Sequence, residues 1–362
     1  MGMNGFHVID ADGHGGEIAG WQKRIPAALQ PKLEEWSTRC KAHYARLTLP
    51  GGGLSRRGDQ FGGKSLVTQA EIRAGMYDPA ERIKDMDLEG IDVTVNFTGG
   101  AGEEWALLDR DFAIALCRAL NDAKAEFNRH NPQRFKGVAI LPMIDPAAAA
   151  AELRRAVNDL GLVAMVTRQH VRDKNLDDPS FDVLWAEAER LNVPVCLHGG
   201  GQAPDQVPVA IDRFHTRLEV HALTHPFGNM IGIMCFTVGG ILHRFPKLRV
   251  GFMESGCGWL PFWLERLDEH YERMPEQAPG IDRKPSEYFL DGRCFIGCDP
   301  DERMIGHVVQ VLGDRQIIYA SDYYHWDCRF PDTARMIAER SDLTDANKRR
   351  ILSENAAALY NL

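Results

Sequence analysis

Five ionisable side chains stand at the ends of short apolar runs in this chain: Asp12 and His14 after the first run, His198 after residues 193–197, Glu254 after 248–253 and Asp322 after 317–320. Carboxylate and imidazole together are borderline ligands that suit Mn, Zn or Fe and leave positions open for water or substrate. Asp12 and His14 are two residues apart. On an extended segment that spacing puts both side chains on one side, facing one ion. His198 and Asp322 then complete a ligand set of Asp12, His14, His198 and Asp322.

The runs that deliver these residues alternate with helical patterns. Strands are expected at 6–9, 91–97, 135–141, 162–167, 193–197, 248–253, 294–296 and 317–320. Asp78-Pro79 opens a helix that stops at Gly90, and Asp145-Pro146 opens another that ends at Gly161. Each places an N-cap, a first-turn proline and a terminal glycine in the favoured order. Eight βα units make an α/β chain of (β/α)8 TIM-barrel class, in which reactive groups project from the C-terminal strand ends. A doubly wound dinucleotide fold needs G-x-G-x-x-G after its first strand, and Asp12-Gly13-His14-Gly15-Gly16-Glu17 does not supply it. Two stretches exceed the repeat. Residues 18–77 read as an insert over the barrel mouth with a mobile tip, and residues 202–247 as a second insert, all within one domain spanning 1–362.

The chain has 362 residues, with 42 Lys plus Arg against 51 Asp plus Glu, for a net charge of -9. That balance argues against nucleic acid and anionic membrane surfaces as partners. No apolar run reaches the roughly eighteen residues of a membrane span. The N-terminus lacks the basic and apolar regions of a signal peptide. Eight scattered cysteines read as reduced thiols in a cytoplasmic protein. Neither a G-x-S-x-G elbow nor a P-loop is present, which excludes serine-hydrolase and phosphoryl-transfer readings.

The segments VIDADGH at 8–14, CLHGGG at 196–201, HPFGNM at 225–230, FPKLRVGFMESGCGWLPFWLERLDEHY at 245–271 and ASDYYHWD at 320–327 resemble the amidohydrolase superfamily. The resemblance is to the branch holding aminocarboxymuconate-semialdehyde and γ-resorcylate decarboxylases. It implies a barrel with one divalent ion per chain, Mn, Zn or Fe with Mn or Zn favoured, and a homodimer or higher homo-oligomer. His198 matches the family's strand-five ligand, and Asp322 its strand-eight aspartate, which binds metal and handles protons. Asp12 stands where the family often has histidine and favours a harder ion. Glu254 stands where decarboxylase relatives often have histidine. It is expected as a ligand, a general acid or base, or the partner that orients His198.

The expected catalytic set is Asp322, Glu254, His225 and His325. The expected reaction is non-oxidative decarboxylation of a small hydroxylated aromatic or unsaturated carboxylate. A metal-dependent hydrolase or hydratase shares the same ligands and is the alternative, and an inactive ligand-binding barrel is the third reading. Lesser candidates are Glu17 near the ion and His215, His221, Arg213 and Arg217 near the substrate. Tyr323, Trp326 and Asp327 flank the mouth, and Asn96 and Gln169 are possible donors to substrate. Trp259 and Trp263 read as core. Cys294 and Cys298 are a loose metal or redox pair, and Cys257 sits at a helix start where a thiolate is favoured.

Overall fold

A computed structural model describes residues 2–16, 18–46, 73–98, 109–199, 208–209, 213–214, 217–325 and 327–362. Eight parallel strands follow one another in chain order around a barrel. They are β1 (Ile9–His14), β2 (Val93–Phe97), β3 (Phe135–Ile140), β4 (Ala164–Thr167), β5 (Val195–Leu197), β6 (Val250–Phe252), β7 (Cys294–Cys298) and β8 (Ile317–Tyr319). The expected first strand, 6–9, is displaced: β1 runs from Ile9 through His14, so the ligand-type residues lie within it. The barrel closes beyond the end of β8, where Asp322 N donates to Asp12 O at 3.0 Å and His14 N to Tyr323 O at 2.5 Å.

Strand residues alternate between two cores. Ile9, Ala11, Val95, Val138, Val166 and Ile318 fill the barrel interior. Ala139, Met165, Val195, Val250, Ile296 and Ile317 face outward into the layer of helices. Helices α1 (Gln30–Arg46), α2 (Pro79–Glu89), α3 (Arg110–Asn128), α4 (Pro146–Asn158), α5 (Asp182–Leu191) and α6 (Arg217–Phe236) lead the outer ring. Their ends obey local chemistry. Asp78 accepts from the Ala80 and Glu81 amides, Pro79 follows it, and Gly90 closes α2 in the left-handed region. Asp145 caps α4 in the same way, and α4 buries Ala149, Leu153 and Ala156.

The structure describes part of each expected insert. In the first, Trp36 of α1 packs against Phe112 of α3 at 6.4 Å between ring centroids. Its returning end, a 3-10 turn over Ala74–Met76, meets the mouth, where Gly16 N donates to Met76 O at 3.0 Å. The expected mobile tip of this insert, with Gly51, Gly52, Gly53, Gly62 and Gly63, lies outside the described residues. In the second, α6 is the helix between β5 and β6.

One outer-layer group sets a pH dependence. Glu89 is 1% exposed, accepts a hydrogen bond from Thr333 N at 3.2 Å and another from Thr333 Oγ1. Burial pushes its carboxyl up to about 7 from 4.5. A carboxyl whose folded value is raised contributes stability that is complete below the unfolded value and lost as pH rises through the folded one. Between pH 5 and 8 this group should weaken the fold by up to about 3 kcal/mol, at about 1.4 kcal/mol per unit. Urea unfolding of Glu89→Gln at both pH values should therefore show a smaller loss than wild type. Equal losses in both proteins would remove Glu89 as the cause.

Candidate metal centre

Two irregularities of the backbone aim the site. Asp10 pairs with Thr94 and Gly13 with Asn96, so β1 takes three steps where β2 takes two. That is a bulge of one residue, which reverses the alternation. Before it, Ile9 and Ala11 face inward and Asp10 outward. After it, Asp12 and His14 face inward and Gly13 outward. Without the extra residue, Asp12 and His14 would point at the helices. At the end of β6, alternation would send Glu254 outward with Val250 and Phe252. Glu254 instead adopts a left-handed backbone, φ 51°, and its carboxylate turns to the mouth. Asp322 is also left-handed, at φ 52°. Such a conformation in a residue other than glycine costs on the order of 1–3 kcal/mol and persists where the surroundings enforce it.

The expected residues converge. His14 Nε2 lies 3.0 Å from Asp322 Oδ1 and 3.7 Å from Asp12 Oδ1. His198 Nε2 lies 3.4 Å from Asp12 Oδ2, and its Nδ1 3.3 Å from Glu254 Oε2. His225, on α6, approaches Glu254 Oε2 to 3.4 Å through Nε2. His325 stacks on His14 at 3.9 Å and holds Nδ1 2.9 Å from Asp322 Oδ1 and 3.6 Å from Glu254 Oε1. Asp12 and His14 form a buried floor, with 1% and 3% side-chain exposure, while Asp322 and His325 open to the mouth at 19% and 24%.

Five of these atoms are buried without a hydrogen bond: Asp12 Oδ1 and Oδ2, His14 Nε2, His198 Nε2 and Asp322 Oδ1. A buried carboxylate left unbonded is costly unless a charge compensates it. The other ring nitrogens are engaged. His14 Nδ1 meets Thr98 O at 3.3 Å, and His198 Nδ1 meets Gly199 O at 3.0 Å. A carbonyl only accepts, so each Nδ1 carries a proton, which leaves each Nε2 as the atom that can offer a lone pair to an ion. Asp12, His14 and His198 can hold an ion as one set, and His14, Asp322 and His325 as another. Two carboxylates and two imidazoles that can offer Nε2 lone pairs fit a divalent ion such as Mn²⁺.

The mouth carries strong mutual fields. Burial opposes charge on Glu254, yet His225 and His198 hold its carboxyl well below the usual range. Burial likewise opposes charge on His325, and Asp322 and Glu254 outweigh it, so the imidazole rises well above its ordinary value. His225 is raised against burial by Glu254.

The lesser expectations divide. His221 reaches the rim, with Nε2 3.9 Å from Asp327 Oδ2 and its ring 4.5 Å from that of His225. Arg213 is exposed, and Gln169 packs against Gly228 of α6. Asn96 does not face the mouth: it faces outward to Arg82, whose Nη2 donates to Asn96 Oδ1 at 3.5 Å. The Cys257 thiolate is also overturned. The thiol is buried, and burial with the nearby Glu302 carboxylate pushes it well up, because Glu302 already accepts from the Cys257 and Gly258 amides. Cys294 and Cys298 are buried on the outward face of β7, both with raised thiols. Tyr323 packs beneath the mouth under Arg82, and Trp259 and Trp263 pack at the core edge. Glu17, His215, Trp326 and the side chain of Arg217 lie outside the described residues.

Two contributors escaped the sequence reading. Arg168, directly after β4, donates from Nη1 to His198 O at 3.0 Å and also to Gly199 O. The rule that picked out His198, an ionisable residue at a strand end, applies to it equally. Asn229 of α6 donates from Nδ2 to Met253 O at 2.8 Å and to Ser255 Oγ at 2.9 Å. It clamps both neighbours of Glu254, and only its place in the HPFGNM segment hinted at that.

A family model described as amidohydrolase matches residues 40–362. A 2-amino-3-carboxymuconate-6-semialdehyde decarboxylase from Dictyostelium discoideum is 27% identical over 81% of this chain and 79% of its own length. A gamma-resorcylate decarboxylase from Rhodococcus jostii is 28% identical over 81% of this chain and 90% of its own. Among solved structures, a 5-carboxyvanillate decarboxylase from Novosphingobium aromaticivorans, complexed with manganese and 4-hydroxy-3-methoxy-5-nitrobenzoic acid, aligns with a TM-score of 0.75. It is 20% identical, covering 99% of this chain and 97% of that one.

Proposed function

The chain belongs to the amidohydrolase family, and from that premise we propose that it is a metal-dependent decarboxylase of small hydroxylated aromatic carboxylates. Asp12, His14, His198 and Asp322 are the ligands of one divalent ion per chain, with Mn²⁺ favoured. Relatives named as decarboxylases of such acids support the substrate class. The observation that carries the reaction type is His325, whose Nδ1 bridges Asp322 and Glu254. Two carboxylates facing one imidazole stabilise its charged form, so this group is held as an acid beside the ligand set. Decarboxylation needs an acid at that place, whereas hydrolysis would start from a base.

A divalent ion there supplies positive charge to the substrate carboxylate and its neighbouring oxygen. The chain's own groups do the rest. Asp322 and His325 deliver the stored proton to the ring carbon that bears the carboxylate. The bond from that carbon to the carboxylate then breaks, its electron pair returns to the ring, and CO₂ leaves. Glu254, charged between His198 and His225, keeps His325 turned toward Asp322. The enzyme is taken to act in the cytoplasm as a homodimer or higher homo-oligomer. The described cysteines are free thiols, which suits that compartment.

Elemental analysis of protein purified without added metal or chelator should give about one ion per chain. Incubation with a panel of hydroxybenzoates and lactones should release CO₂ from acids with a hydroxyl beside the carboxylate. Lactone opening without CO₂ release would make the protein a hydrolase.

A further inference from the structure

Beneath the metal centre, on the opposite face of β1, lies a carboxylate that the reaction does not touch. Asp10 is fully buried. Its Oδ1 accepts from Ser321 N at 2.8 Å, and its Oδ2 from Ser321 Oγ and Thr94 Oγ1, each at 2.8 Å. Asp12 N, inside the bulge, lies 3.4 Å from Oδ1. One side chain thus joins three pieces of chain: the bulge of β1, Thr94 of β2, and the residue immediately before Asp322. The β8–β1 seam has few backbone bonds, so these side-chain bonds do much of its closing.

Its surroundings leave Asp10 little freedom. Arg82 of α2 holds Nη2 3.9 Å from Oδ2 and lies over the Tyr323 ring at 3.4 Å. A Cβ on Gly13 would stand 2.7 Å from Asp10 Oδ2 and 2.6 Å from Arg82 Nη2. A side chain at this position would have to displace the Asp10 carboxylate, Arg82 or Thr94.

We propose that Asp10 is the positioning residue of the metal centre, pinning the β1 bulge and the β8–β1 seam so that Asp12, His14 and Asp322 converge. This rests on the reading that those residues hold an ion. A free β1 would lose the bulge by sliding one residue, and Asp12 and His14 would turn to the helices. Second-layer partners of metal ligands commonly govern affinity by ten- to a hundredfold.

The test compares Asp10→Ala, Ser321→Ala and Thr94→Val with Leu153→Ala, a core truncation in α4 remote from the seam. Two readouts are taken on chelator-treated protein: Mn²⁺ affinity from the signal of free Mn²⁺, and amide hydrogen exchange in peptides covering 8–16 and 319–325. Asp10→Ala should bind Mn²⁺ about ten- to a hundredfold more weakly, with faster exchange confined to the two peptides. Ser321→Ala and Thr94→Val should shift both readouts in the same direction by less, and they carry the test if Asp10→Ala does not fold. Leu153→Ala should lower the unfolding midpoint and leave Mn²⁺ affinity unchanged. Wild-type affinity and exchange in the seam variants would overturn the proposal. Should wild type itself take up no Mn²⁺, the metal reading fails, and exchange at the seam alone decides whether Asp10 pins it.

Discussion

His198→Ala should strip the protein of its metal and its activity together. His198 Nε2 faces Asp12 from 3.4 Å, and the same ring reaches Glu254 through Nδ1 at 3.3 Å. On the proposed ligand set, removing it deletes one of four ligands. It also leaves the Asp12 carboxylate, 1% exposed, without its nearest cation-compatible partner. Bound metal should fall from about one ion per chain to below about a tenth, because affinity is built from ligand count and geometry. Turnover should drop by at least about a thousandfold, since the ion's charge is absent when the substrate carboxylate enters. Wild type should also gain several degrees of thermal midpoint on adding Mn²⁺, as any ligand of the native state alone confers. The variant should gain none. His221→Ala, at the rim, should keep its metal. A His198→Ala protein that retains stoichiometric Mn²⁺ would place the ion elsewhere.

His325→Ala should separate proton delivery from metal binding. His325 reaches Asp322 at 2.9 Å and stacks on His14, but His14 and Asp322 keep their other contacts without it. Metal content should stay near wild type. The first-order rate constant should fall by about 10²–10⁴, the usual contribution of a positioned acid. KM should change little, because the ion and the pocket walls remain. Added imidazole should restore part of the rate by occupying the space left open and carrying the proton. A variant within about threefold of wild-type kcat would exclude His325 from proton delivery.

Much of the barrel could be read from the chain alone, because its elements follow local rules. Asp78 and Asp145 start helices by accepting amide hydrogens, and Gly90 ends one by taking a left-handed backbone. Such caps depend on neighbours within four residues, so a sequence contains everything they need. Apolar runs of strand length similarly revealed the strands and their polar ends. The ligand candidates Asp12, His14, His198 and Asp322 were legible because ionisable residues at apolar strand ends need a reason. Asn96 met a similar test and failed in the structure: it faces Arg82 on the helix side. Position along a strand sets the height of a side chain in the barrel, while its face depends on every step of the alternation before it.

That alternation is what tertiary structure decided. The β1 bulge exists because Asp10 bonds to Thr94 and Ser321, residues that are 84 and 311 positions away in the chain. Glu254 reaches the mouth because its backbone turns left-handed between Met253 and Ser255, which Asn229 holds from α6. His325 finds Glu254 only once β6 and β8 stand on one barrel rim. The sequence by itself determined which chemistry was available and at which strand ends. Long-range hydrogen bonds, formed only after the barrel closes, decided which of those groups point at one another.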